Sequence, residues 1–75
     1  MKTVSVKLPL AEHVKTFVNV VSKYPYDMDL RAGRYVVDAK SILGILSLDL
    51  AKPIAMEIYC DDCADLMADI KPFLA

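Results

Sequence analysis

One histidine, two cysteines and a serine heading an apolar run are the residues of this 75-residue chain whose types and spacing could do chemistry. His13 is the only histidine. In the first turn of a helix, an imidazole sits where anions are favoured, so it could hold a phosphoryl group. Transfer also needs partner sites to dock around the ring, and geometry comes first. A solvated helix residue is the plainer reading of His13. Ser41 precedes Ile42-Leu43-Gly44-Ile45-Leu46. Its hydroxyl stands where an N-cap belongs. A phosphate there would meet orphan N–H groups. Cys60-Asp61-Asp62-Cys63 has the C-x-x-C spacing. Two cysteines make half a zinc site, and His13 is poorly placed to complete it. A thioredoxin-like redox motif needs a βαβ context, which this chain lacks. As a small hydrophobe, Cys60 fits the last inward position of a strand. No metal and no cofactor is expected. Glu12, Asp61, Asp62 and the other charges form no constellation for acid–base work, and caps and solvated surface account for them. The chain is not expected to be an enzyme.

These residues need elements to position them. Thr3 to Leu8 alternates, with Val4, Val6 and Leu8 on one side, which predicts a half-buried strand stopped by Pro9. Leu10, Val14, Phe17, Val18 and Val21 recur at the spacing of one helical face, predicting a helix from Leu10 to Lys23. Glu12, His13, Lys15, Thr16 and Asn19 fall on its other face. Met28 and Leu30 mark a second strand. Ala32-Gly33 is a turn, and Tyr35-Val36-Val37 completes a hairpin. A short helix follows Ser41. Its residues Ile42, Leu43, Ile45, Leu46 and Leu48 point nearly all round, at about 100° per residue. Few small domains can surround a helix, so part of this surface is expected to face water and a partner.

Asp49 to Pro53 reads as a loop. Ile54 to Cys60 reads as a fourth strand, with Met56, Ile58 and Cys60 inward. Asp61-Asp62 is expected to cap a last helix whose apolar face is Leu66, Met67, Ile70, Phe73 and Leu74. The order is β-α-β-β-α-β-α. Every clear strand has one apolar face, which predicts an α+β fold: a four-stranded antiparallel sheet with three helices on one side. Leu30, Val37, Ile45, Leu48, Ile58 and Ile70 are expected to share one core.

Composition bounds the rest. The length fits one domain over residues 1–75, able to bury about 60% of its unfolded surface. Residues 1–40 carry seven basic and four acidic groups, and residues 41–75 carry two and six. No Lys/Arg cluster exists, so no nucleic-acid partner is expected. The start lacks the apolar core of a signal peptide, and no apolar run approaches the ~18 residues of a membrane span. A cytoplasmic protein that binds no membrane is the expectation.

The element order and Lys40-Ser41-Ile42-Leu43-Gly44-Ile45-Leu46-Ser47-Leu48 resemble HPr, the small histidine-containing phosphocarrier family of the bacterial sugar phosphotransferase system. The family pattern there is Lys-Ser-Ile-Met/Leu-Gly-Val/Leu-Met/Leu-Ser-Leu. Ser22-Lys23-Tyr24 matches as well, without a gap. The resemblance covers essentially the whole chain. It implies the open-faced sandwich fold, the cytoplasm and a regulatory serine at Ser41, which a dedicated kinase phosphorylates in Gram-positive members. The family's Gly-Ile/Leu-His-Ala-Arg-Pro-Ala motif is not kept. The ungapped register sets Leu8-Pro9-Leu10-Ala11-Glu12-His13-Val14 against it. Leu10 holds the phospho-accepting position and Glu12 the arginine position. Leucine cannot accept a phosphoryl group, and a carboxylate repels one.

The function expected is a non-catalytic regulatory or binding module. Protein partners, including phosphotransferase-system or regulatory proteins, would meet Ile42, Leu43 and Leu46 on the Ser41 helix, and Glu12, Lys15, Thr16 and Asn19 on the first. The alternative is a working phosphocarrier with His13 as acceptor.

Overall fold

The structure, a computed structural model, describes residues 1–75. Four strands and three helices follow in the order β1 (Lys2–Val6), α1 (Ala11–Val21), β2 (Met28–Ala32), β3 (Tyr35–Asp38), α2 (Ile42–Leu46), β4 (Ile54–Ile58) and α3 (Ala64–Ile70). A 3₁₀ turn over Lys71–Phe73 follows. The sheet order is β1-β4-β2-β3, with every pair antiparallel. The expected α+β sandwich is thus what the chain forms.

Alternation decides which face the helices cover. Leu30 pairs with Met56, and Met56 with Val4, so one row of apolar side chains crosses three strands. Leu30, Met56 and Ile58 are fully buried on that face. The opposite face carries Thr3, Arg31 and Glu57, with an Arg31–Glu57 ion pair at 3.1 Å. Gly33 makes the β2–β3 turn at φ +60°, a region that glycine enters at little cost. Eighteen buried residues form one core, all of them apolar. Phe17 of α1 meets Phe73 edge-on, with ring centroids 5.4 Å apart. The C-terminus then runs beside β1: the Lys7 N–H donates to the Phe73 carbonyl at 2.7 Å, and the Ala75 N–H to the Ser5 carbonyl at 2.9 Å.

Several expectations need correction. β1 ends at Val6, and Leu8 is buried just beyond it. α1 begins at Ala11, so Leu10 is its N-cap and is 53% exposed rather than part of the buried face. β4 ends at Ile58, where both of its ladders end, at Lys2 and at Met28. Cys60 therefore lies past the strand, half-buried, and Cys63 is the buried cysteine. Neither Asp61 nor Asp62 caps α3, whose N-cap is Cys63. The Asp61 carboxylate instead takes the N-terminal ammonium at 2.6 Å. Pro72 lacks an N–H and stops the α-helix, so Phe73 reaches the core from a 3₁₀ turn. Val37 is half-buried, while Leu30, Ile45, Leu48, Ile58 and Ile70 are buried.

Candidate functional site

Two helix starts carry the candidate residues. Leu10 has extended backbone and no side chain able to cap. Its own N–H donates to Nδ1 of His13 at 3.2 Å. The His13 N–H donates back to the Leu10 carbonyl at 3.0 Å. This is the returning half of a capping box, with histidine in the place usually held by Glu or Gln. The consequence is chemical. A nitrogen that accepts a hydrogen bond has committed the lone pair of the neutral ring, so the proton sits on Nε2. The half-buried ring borders an open recess with Lys7, Pro9, Pro72, Phe73 and Leu74.

Glu12, Lys15, Thr16 and Asn19 are all exposed along α1. The Thr16 hydroxyl donates to the Glu12 backbone carbonyl at 3.1 Å.

At α2 the serine does what its position predicts. Ser41 Oγ accepts from the Gly44 N–H at 3.2 Å. The Ile45 N–H donates to the Ser41 carbonyl at 3.0 Å. Ser47 Oγ donates to the Gly44 carbonyl at 2.5 Å, so both ends of this five-residue helix are tied off by side chains. Space at Gly44 is tight. A Cβ there would stand 3.2 Å from Val37 Cβ and 3.2 Å from Ser41 Oγ. The apolar residues split between two sides. Ile45 and Leu48 are buried, Ile42 is half-buried, and Leu43 and Leu46 are 83% and 42% exposed. Because α1 packs beside α2, the exposed side of each contributes to the surface of one pair of neighbouring helices.

Sequence reasoning missed a tyrosine latch between the α1–β2 connection and α3. Tyr24 and Tyr26 stack with ring centroids 6.0 Å apart. The Tyr24 hydroxyl donates to the Asp69 carboxylate, and the Tyr26 hydroxyl to Asp65 at 3.2 Å. The Asp69 hydrogen bond pushes the Tyr24 phenol up to about 12. Desolvation and then Asp65 raise Tyr26. Lys40, beside Ser41, donates to the Tyr24 carbonyl at 2.8 Å. The one available signal was Ser22-Lys23-Tyr24, which carries no hint of Asp65 or Asp69.

Residues 2–75 match the family described as the PTS HPr component phosphorylation site. The chain belongs to the HPr family. HPr-C-His from Thermoanaerobacter tengcongensis superposes with a TM-score of 0.77 at 25% identity, over 93% of this chain and 86% of that one. The phosphocarrier protein HPr from Bacillus anthracis gives 0.73 at 25% identity, over 99% and 94%. A Mycoplasma histidine-containing phosphocarrier protein gives 0.70 at 14% identity, over 95% and 86%, and shares the fold. No curated protein matches by sequence. The family is one of phosphocarrier-type proteins rather than enzymes in themselves. No helix of this HPr-family chain is long and apolar enough to cross a membrane.

Proposed function

We propose that this HPr-family chain is a non-catalytic regulatory or binding module of the cytoplasm. It engages protein partners through α2 and the exposed side of α1, with Ser41 as its regulatory phosphorylation site. The observation that carries the reading is at the start of α1. In the ungapped register, the phospho-accepting position holds Leu10, exposed and chemically inert. Two residues on, Glu12 puts a solvated carboxylate where an incoming phosphoryl group would need a cation. His13 is held as the helix cap, with its Nδ1 already accepting from Leu10. The serine helix, by contrast, keeps its N-cap and its exposed leucines. Partner binding therefore has a surface, whereas the family's acceptor position holds a side chain that cannot carry a phosphoryl group.

The alternative is a working phosphocarrier that uses His13, and one assay separates the two. The purified protein is incubated with enzyme I and phosphoenolpyruvate, and acid-labile phosphate is measured. Wild type is expected to take up none. Leu10→His combined with Glu12→Arg should recover some transfer. Labelling of the wild type that disappears in His13→Gln would overturn the proposal in favour of His13. Glutamine can still accept the Leu10 N–H, so that variant keeps the cap while removing the imidazole.

A further inference from the structure

The C-x-x-C turn is used by none of the functions above. It links the end of β4 to the start of α3. Cys60 is half-buried and packs against the core, and Cys63 is 1% exposed and belongs to it. Both thiols are free. Each sulfur is turned toward the backbone of its own turn. Cys60 Sγ lies 3.3 Å from the Asp62 carbonyl, and Cys63 Sγ lies 3.9 Å from the Cys60 carbonyl. Cys63 is also the N-cap of α3, yet its side chain makes no capping hydrogen bond. It can therefore turn toward Cys60 without costing the helix a cap.

We propose that Cys60 and Cys63 are a thiol-oxidation site that closes to an intramolecular disulfide by exchange with a low-molecular-weight disulfide. The chemistry takes two steps. The thiolate of Cys60, the more accessible of the pair, attacks one sulfur of the disulfide RSSR. A Cys60–S–SR bond forms and RS⁻ departs. The Cys63 thiolate then attacks the Cys60 sulfur and expels the second RS⁻. Two protein thiols lose two electrons and two protons, and RSSR becomes two RSH. The product staples the segment just past β4 to the N-terminus of α3. That is the same end of α3 that Tyr26 grips through Asp65.

The surroundings also select the reagent. Cys60 is followed by Asp61 and Asp62, both exposed, and Asp65 lies in the first turn of α3; the N-terminal ammonium offsets Asp61, so Asp62 and Asp65 supply the net negative charge. A cationic disulfide is drawn to this acidic surface and an anionic one is repelled. Cystamine is therefore expected to react faster than neutral bis(2-hydroxyethyl) disulfide, and glutathione disulfide slowest, with the differences shrinking in high salt.

The test is to incubate the intact protein with each of the three reagents and follow it by mass spectrometry and thiol titration after denaturation. The expected product is a monomer that has lost two hydrogens and both titratable thiols, and that dithiothreitol restores. Cys63→Ala keeps a small apolar side chain in the core and should stop at a mixed disulfide on Cys60. A wild-type protein that ends as a mixed disulfide or a linked dimer would overturn the proposal. So would a protein whose thiols stay intact while a reference dithiol is oxidised. Equal rates for the three reagents would overturn the electrostatic selection.

Discussion

Ser41 and Gly44 show how much one hydroxyl and one missing methyl decide at α2. The hydroxyl satisfies the Gly44 N–H. Replacing Ser41 with alanine leaves that donor without its side-chain partner, and a lost N-cap costs about 0.5–2 kcal/mol. Urea denaturation of Ser41→Ala should show a loss in that range with an unchanged m-value. Gly44→Ala pits two effects against each other. Helix propensity alone would favour alanine by roughly 1 kcal/mol. The new Cβ, however, would press on Val37 Cβ at 3.2 Å, and that atom is fixed to β3. Overpacking of this kind typically costs about 1–3 kcal/mol, so the expected sign is destabilising. A more stable Gly44→Ala protein in the same titration would show that α2 can lift off β3 freely. Ser41 was legible in sequence because capping is a local rule. The cap at α1 was not, because Leu10 continues the apolar spacing of the helix by one more step. Periodicity cannot see that the following helix start is closed by His13.

Among the elements, the strands were readable in their interiors and unreadable at their ends. Alternation placed Val4, Val6, Leu30, Met56 and Ile58 toward the core. It also carried β4 on to Cys60, because the pattern holds no information about where the neighbouring strands stop. The α1–β2 connection was opaque for the same reason. Tyr24 and Tyr26 act on Asp69 and Asp65, more than 35 residues away along the chain. Their consequence is a pH dependence. A neutral Tyr24 donates to Asp69, whereas a phenolate there would face carboxylates. With its folded value raised from 10.0 to about 12, Tyr24 contributes stability that is complete below pH 10. The contribution fades as pH rises from 10 through 12. Wild type should lose stability across that window faster than Tyr24→Phe does. A spectrophotometric titration of Tyr24→Phe should also lack the highest phenol step. Parallel stability curves for the two proteins would show that the latch adds nothing to the docking of α3.

On the scale of the whole molecule, the fold answers the puzzle posed by a short helix that is apolar all round. The sheet offers one apolar face, and α2 can give it only one side. Ile45 goes fully inward and Leu48 nearly so. Leu43 is left 83% exposed and Leu46 42%, on a helix that packs beside α1, whose exposed residues include Lys15, Thr16 and Asn19. An apolar centre with a polar rim is the anatomy of a protein interface. If this surface is what the chain keeps from its family, its apolar centre is dispensable for folding and needed for recognition. Leu43→Asp with Leu46→Asp separates the two. Exposed positions away from special features tolerate substitution within about 0.5 kcal/mol each. Gly44 and Ser41 are untouched, so the cap survives. The double variant should then unfold within about 1 kcal/mol of wild type. Under conditions where a bacterial HPr kinase phosphorylates Ser41 of the wild type, it should be a much poorer substrate, although the serine itself is intact. Mass spectrometry of the phosphorylated site reads the second effect and denaturation the first. A variant that unfolds places these leucines in the core. One that is stable and phosphorylated at the wild-type rate removes Leu43 and Leu46 from the recognition surface, leaving Glu12, Lys15, Thr16 and Asn19 to carry it.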